Sequence, residues 1–204
     1  MNLNFDEEIK RAKRKKMLHL TILWSSMILI LVLLAYFLVH FCIRKTGTIG
    51  SAMEPTIYNG EEVYINTKAY LFLKPNREDV IAFYDENSQA TIEEEPSLQF
   101  RRVIGLPKEK IQILDSKIFI NGKEYKQSSD YDVISTGGIA EDGVVLGKDE
   151  YFVLCDARQN TDDSRMASFG NVKSKKIVGK VFLRDKPLSF VKGPLKRTNT
   201  EKNK

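Results

Sequence analysis

From Met17 to Ile43 the chain runs 27 residues without an Asp, Glu, Lys or Arg (MLHLTILWSSMILILVLLAYFLVHFCI). A helix of about 20 residues crosses a hydrocarbon core, so this segment is long enough to span with some tilt. A cleavable secretory leader has a shorter apolar region, roughly 7–15 residues, followed by a small-x-small site. Here the exit reads Phe41-Cys42-Ile43-Arg44-Lys45, and the expectation is an uncleaved transmembrane helix over 17–43. Its flanks are unequal in charge. Lys10, Arg11, Lys13, Arg14, Lys15 and Lys16 precede it, whereas only Arg44 and Lys45 follow closely. Basic flanks stay in the cytoplasm, and Asp6, Glu7 and Glu8 weigh little against that bias. The sequence thus predicts a cytoplasmic basic segment over 1–16, a single-pass cell-membrane anchor and an extracytoplasmic remainder.

That partition accounts for the charge. Among 204 residues, 32 Lys+Arg face 27 Asp+Glu, a net charge of +5. Residues 1–16 carry +3 and residues 185–204 carry +4, which leaves everything between near −2. The basic excess belongs to the ends, so no nucleic-acid partner is expected. The 185–204 stretch reads as a basic, disordered tail that can touch anionic headgroups or wall polymers. Both histidines, His19 and His40, lie in the apolar segment. An outer part without imidazole cannot build a Ser-His-Asp triad or a His-bearing zinc site. A sortase-like centre on Cys155 and Arg158 would lack its histidine for the same reason. Two widely spaced cysteines, Cys42 and Cys155, argue against a disulfide framework. No metal or cofactor is expected.

Residues 46–184 read as mostly strand. Short β-branched or aromatic runs occur at 62–66, 80–84, 100–104, 110–114, 117–120, 151–154 and 177–183. Asp115-Ser116 and Asn121-Gly122 separate neighbouring runs with tight-turn chemistry. Short strands spaced by turns imply a mainly β architecture, a sandwich or a partly closed barrel. Residues 85–97, with Glu93-Glu94-Glu95-Pro96, read as a solvated acidic loop. The glycine-bearing stretch 124–149 reads as an irregular excursion within a smaller, insertion-type subdomain over about 108–149.

Three segments carry the functional signal. They are Gly50-Ser51-Ala52-Met53-Glu54-Pro55-Thr56-Ile57, then Phe100-Arg101-Arg102-Val103-Ile104-Gly105-Leu106-Pro107, then Leu154-Cys155-Asp156-Ala157-Arg158 with Thr161-Asp162-Asp163-Ser164-Arg165. Singly, each has a bland reading: a proline turn, an amphipathic strand, a polar loop. In this order behind an N-in anchor they resemble the boxes of the bacterial type I signal peptidases. Those boxes read Gly-x-Ser-Met-x-Pro-Thr, Lys-Arg-Val-Ile-Gly-x-Pro-Gly-Asp and Gly-Asp-Asn-Arg-x-x-Ser-x-Asp-Ser-Arg. Arg77-Glu78-Asp79-Val80 resembles a further, degenerate Arg-Gly-Asp box. The resemblance implies a signal-peptidase-like antiparallel β-sheet domain with one N-terminal transmembrane helix. It also implies a Ser/Lys dyad, in which a desolvated lysine loses its proton and activates the serine.

Aligned residue by residue, both dyad members are replaced. Ala52 stands at the nucleophile position and Arg101 at the general-base position. Alanine has no nucleophile, and a guanidinium with a pKa above about 12 cannot act as base. Ser51 is one residue away, and neighbouring side chains of an extended segment point to opposite faces. Cys155, Ala157 and Thr161 replace the family's Gly, Asn and Ser, while Lys108-Glu109 replaces Gly-Asp. Met53, Pro55, Arg102, Asp156, Arg158, Asp163, Ser164 and Arg165 persist as supporting box residues, with Thr161 keeping a hydroxyl. An engineered nucleophile-dead peptidase explains Ala52 but not the other changes. The expectation is a catalytically inactive homologue, a peptide-binding or chaperone-like factor in pilus or surface-protein assembly. It resembles the signal-peptidase-like pilus assembly proteins of Gram-positive bacteria. The partners this implies are the membrane with pilins or other signal-peptide-bearing proteins, sortase, or an active signal peptidase. The rival is a still-active serine endopeptidase that removes signal peptides.

Overall fold

The computed structural model describes residues 3–84, 98–127, 131–185 and 188–192. The acidic loop expected at 85–97 lies outside these, as does most of the tail. The chain divides into two compact units, 1–42 and 43–204.

The first unit is a single helix, α1 (Leu3–Cys42). Its apolar part, Lys13–Cys42, is long and apolar enough to cross a membrane. The hydroxyls within it are satisfied locally: Thr21, Ser25 and Ser26 each donate to a carbonyl three residues back, at 2.8–2.9 Å. Such back-bonding suits a segment bathed in hydrocarbon, where water cannot serve. The helix starts earlier than the expected span and takes in the basic segment. It also ends one residue sooner, because Ile43 enters a strand.

The second unit is built from antiparallel pairs. The strands are β1 (Ile43–Gly47), β2 (Glu62–Asn66), β3 (Val80–Tyr84), β4 (Leu98–Gly105), β5 (Lys110–Leu114) and β6 (Lys117–Ile120). There follow β7 (Lys123–Tyr125), β8 (Val144–Val145), β9 (Glu150–Leu154), β10 (Val172–Lys173), β11 (Ile177–Arg184) and β12 (Ser189–Phe190). An eight-stranded sheet runs β1-β2-β11-β3-β4-β9-β10, with β12 pairing β11. A four-stranded sheet runs β7-β6-β5-β8. The tail expected to be disordered therefore contributes a strand, since Phe190 pairs with Leu183.

The two hairpin turns follow the local chemistry. Asp115 and Ser116 sit at φ 48° and 63°, and Asn121 and Gly122 at 51° and 78°. Consecutive positive φ values match the right-handed twist of the flanking strands. The small sheet has its own hydrogen bonds but no separate core. Ile111, Ile113, Ile118 and Leu146 pack in one cluster with Ile104 of β4 and with Phe152 and Leu154 of β9. Four strands with one apolar face must cover that face, and the large sheet supplies the cover.

Candidate functional site

The ends of β4 and β9 bring the boxes together. Arg102 pairs with Leu154 across the two strands, which sets the second box beside the third. The first box turns back on itself through Glu54 N–H to Ser51 O (3.1 Å) and Ile57 N–H to Met53 O (2.9 Å), and the Glu54–Pro55 bond is cis. Met53 is buried in the core, while Pro55 and Ser51 are exposed. The Ala157 N–H donates to Ala52 O at 3.1 Å, so the third box grips the first through the backbone.

Beneath this contact lies a buried ionic corner. Arg102 donates to Asp156 through Nε (2.8 Å) and Nη2 (2.5 Å), and through Nη1 to Glu78 O (2.7 Å). The Thr56 hydroxyl donates to the same carboxylate at 2.5 Å. Burial alone would lower the Arg102 pKa, but the Asp156 charge and its hydrogen bonds leave it raised. Next in sequence, Asp163 accepts from the Cys155 N–H (2.9 Å) and from Arg165 Nε and Nη2 (2.9 and 2.8 Å). Arg165 also reaches the carbonyls of Arg158 and Asn160. Ser164 Oγ accepts from the Val153 N–H at 3.0 Å, fixing the loop to β9. Gly138 makes room here. At φ 55° it lies so close to the Arg165 carbonyl that a Cβ would collide with it.

Arg158 is different. It is fully buried and stacks at 4.4 Å on the Tyr131 ring, yet none of its three guanidinium nitrogens has a hydrogen-bond partner. Burial lowers its pKa, with Asp156 opposing. Sequence reasoning placed it in the ion-pair corner, but the carboxylate it was expected to share is taken by Arg102 and Thr56.

Arg101 points elsewhere. Its Nε donates to Asp162 O (2.7 Å), Nη2 to the Asp162 carboxylate (2.5 Å) and Nη1 to Phe100 O (2.8 Å), and its guanidinium lies 5.5 Å from the Phe169 ring centroid. The side chain is only 5% exposed. Asp162 was not singled out from the sequence, since it occupies an unspecified position of its box. The signal was a new carboxylate in the box that faces a new guanidinium. Thr161, whose hydroxyl was expected near Arg101, is replaced in that contact by its neighbour. Cys155 Sγ lies 3.4 Å from the same Asp162 carbonyl, and burial pushes its thiol up to about 12.

That last shift yields a prediction. The Cys155 thiol stays protonated in the folded protein at pH 8–9, where an unfolded cysteine titrates. Iodoacetamide at pH 8 is expected to modify it only after denaturation. Because the folded pKa lies above the unfolded one, this group's contribution to stability falls as pH rises from about 9 toward 12. Rapid labelling of native Cys155 by mass spectrometry would refute the buried placement.

Two replacements that look damaging in sequence keep the backbone. Glu78 and Lys108 stand where the family boxes have glycine, and they adopt φ 68° and 71°. Holding a non-glycine residue there costs about 1 kcal/mol each. Glu78 offsets this by accepting from Tyr125 Oη at 2.7 Å, and its carbonyl receives Arg102. Glu109, in place of Asp, receives Arg77 at 2.7 and 3.1 Å and the Leu106 N–H at 2.7 Å. Among the described residues, no three His, Cys, Asp or Glu side chains group to hold a metal.

An apolar helix followed by an antiparallel β domain, with three boxes closed on a buried Arg–Asp corner, defines a peptidase-like scaffold. The family model "Signal peptidase, peptidase S26" matches residues 21–184. Signal peptidase I T of Bacillus subtilis (strain 168) is 32% identical over 179 residues, covering 83% of this chain and 86% of that protein. Signal peptidase I P of Bacillus subtilis subsp. natto is 31% identical over 184 residues, covering 86% and 91%. The crystal structure of a signal peptidase I from Enterococcus faecalis V583 is 28% identical, with a TM-score of 0.42, over 52% of this chain and 96% of that one. The chain belongs to the signal peptidase family, peptidase S26.

Proposed function

We propose that this protein is a catalytically inactive signal peptidase I homologue, anchored with its N-terminus in the cytoplasm and its β domain outside. It binds extended segments of signal-peptide-bearing surface proteins, pilins among them, during their assembly. One observation carries the proposal: at the base position a guanidinium is closed onto Asp162, and at the nucleophile position stands Ala52. A permanently charged group cannot take a proton from a hydroxyl, and no hydroxyl stands at that position. The Arg102–Asp156–Thr56 corner that holds the boxes is intact, which supports a retained binding role. An extended peptide can be held there by main-chain hydrogen bonds without any chemistry. Asp162 also argues against an engineered nucleophile-dead form, which would need no new partner for an arginine.

The test is photo-crosslinking from probes placed beside Ala52, in membranes of the native host, with identification of the captured chains. Pilins, sortase or other preproteins are expected. Capture of an active signal peptidase alone would point instead to a regulatory subunit. An unchanged pilus polymer after gene deletion would remove the pilus role, and cleavage of a preprotein by the purified protein would remove inactivity.

A further inference from the structure

Between Asn66 and Val80 the chain presents Leu71, Phe72 and Leu73 to solvent, at 65, 92 and 70% exposure. The presentation is held from within. Tyr70 turns inward onto the cluster containing Ile81 and Tyr151, and its hydroxyl donates to Asp79 Oδ2 at 3.0 Å. The Asn76 N–H donates to the same oxygen at 3.0 Å, and Lys180 Nζ to Oδ1 at 2.6 Å. Pro75 is buried, and the Leu71 N–H closes a turn on Lys68 O. Tied down on both sides, the loop keeps three adjoining large apolar side chains outward, an arrangement that water disfavours.

Basic residues surround this tip. Lys68 and Lys74 share a hollow with Leu71 and Leu73. That hollow has Asp149 and Ser174 in common with a neighbouring one rimmed by Lys148, Lys173 and Lys175. Five lysines against Asp149 and Glu150 leave the patch at net +3.

We propose that this loop docks the β domain on an anionic lipid surface, with Phe72 entering the interface and the lysines meeting the headgroups. The role is separate from peptide binding and does not depend on it. Three properties favour lipid over a protein partner. A tip of three residues is small beside the roughly 800 Å² each partner buries in a standard protein interface. Lysine is depleted in protein interfaces, whereas an apolar wedge ringed by bases suits anionic headgroups. The loop is also within reach of a membrane. Asn66 pairs with Ile43, which directly follows the last residue of the apolar helix. Phe72 lies six residues beyond Asn66, at most about 20 Å of extended chain.

The test uses the full-length chain carrying Cys42→Ser, so that buried Cys155 remains as the unreactive background thiol. A fluorophore is attached at Phe72→Cys, at Leu71→Cys or, as a control on the small sheet, at Leu114→Cys. Each protein is reconstituted in phosphatidylcholine vesicles with or without phosphatidylglycerol, and lipids bearing a nitroxide at interfacial depth serve as quenchers. Quenching at 71 and 72 is expected to be several-fold stronger than at 114 when phosphatidylglycerol is present. It is expected to fall to the control level in the Lys148→Glu/Lys173→Glu/Lys175→Glu variant. Equal quenching at 72 and 114 overturns the proposal, as does quenching indifferent to phosphatidylglycerol. Shielding that follows protein density instead of lipid would show a second copy as the occupant and overturns it too. Loss of peptide capture would leave these signals unmoved, so the two proposals fail separately.

Discussion

Restoring serine alone, Ala52→Ser, is expected to leave a preprotein uncleaved. A serine hydroxyl needs a base, and the group at the base position is the Arg101 guanidinium, which keeps its proton at any working pH. Adding Arg101→Lys supplies an amine that can titrate, but the Asp162 carboxylate, 2.5 Å from Nη2 of the present arginine, would favour the charged ammonium. That raises the lysine pKa and withholds the base. Adding Asp162→Ala removes the anion, and cleavage is expected to appear most strongly in this triple variant. The available range is large, since losing the nucleophile or base of subtilisin costs about 10⁶ in kcat. The measurement is kcat/KM on a fluorogenic signal-peptide substrate in detergent, with the order wild type, Ala52→Ser, double, triple. Cleavage by Ala52→Ser alone would reveal a base other than position 101. Cleavage by the wild type, abolished by Ser51→Ala, would make Ser51 the nucleophile and end the inactive reading.

Asp156→Ala is expected to destabilise the β domain by about 3–5 kcal/mol, because removing one partner strands the other charge in a dry site. The Arg102 and Asp156 side chains are 2% and 0% exposed, so solvent cannot replace what is lost. The Thr56 hydroxyl loses its acceptor, and Arg158 loses the nearby anion that opposes its burial. For a domain of this size the change corresponds to a fall in Tm of about 10 °C. Glu62→Ala is the contrast. The Lys45–Glu62 pair is 42% and 48% exposed, and such surface pairs contribute about 0–1 kcal/mol. The check is thermal unfolding of the reconstituted chain followed by near-ultraviolet circular dichroism. A double variant Asp156→Ala/Arg102→Met that regains most of the loss would assign the effect to the stranded charge. Equal Tm changes for Asp156→Ala and Glu62→Ala would contradict the corner.

The strands with strong alternation were legible in the sequence. Glu62–Asn66, Val80–Tyr84, Lys110–Leu114 and Lys117–Ile120 fall where their residue patterns place them. Those that were not legible lack a pattern of their own. Arg44-Lys45-Thr46 of β1 is polar, and β8, β10 and β12 have two residues each. They are strands because a neighbour offers a free edge. At the site, the retained box residues were visible by type and spacing, but their partners were not. Arg101 takes Asp162, Arg158 takes a tyrosine ring in place of a carboxylate, and Arg77 takes Glu109.

The apolar run, the charge-poor middle of the chain and the order of the boxes were determined by the sequence, because hydrocarbon length, titration and residue type are local properties. The histidine-free outer part belongs with them, and so does the replacement of serine and lysine by Ala52 and Arg101. Only the tertiary structure decided which carboxylate each buried arginine claims. It also decided that Glu78 and Lys108 keep a left-handed backbone, and that the small sheet shares its core with the large one. Those outcomes depend on strand register and on competition between groups far apart in the chain. Geometry settles such competition within a few tenths of an ångström, a scale the order of residues does not carry.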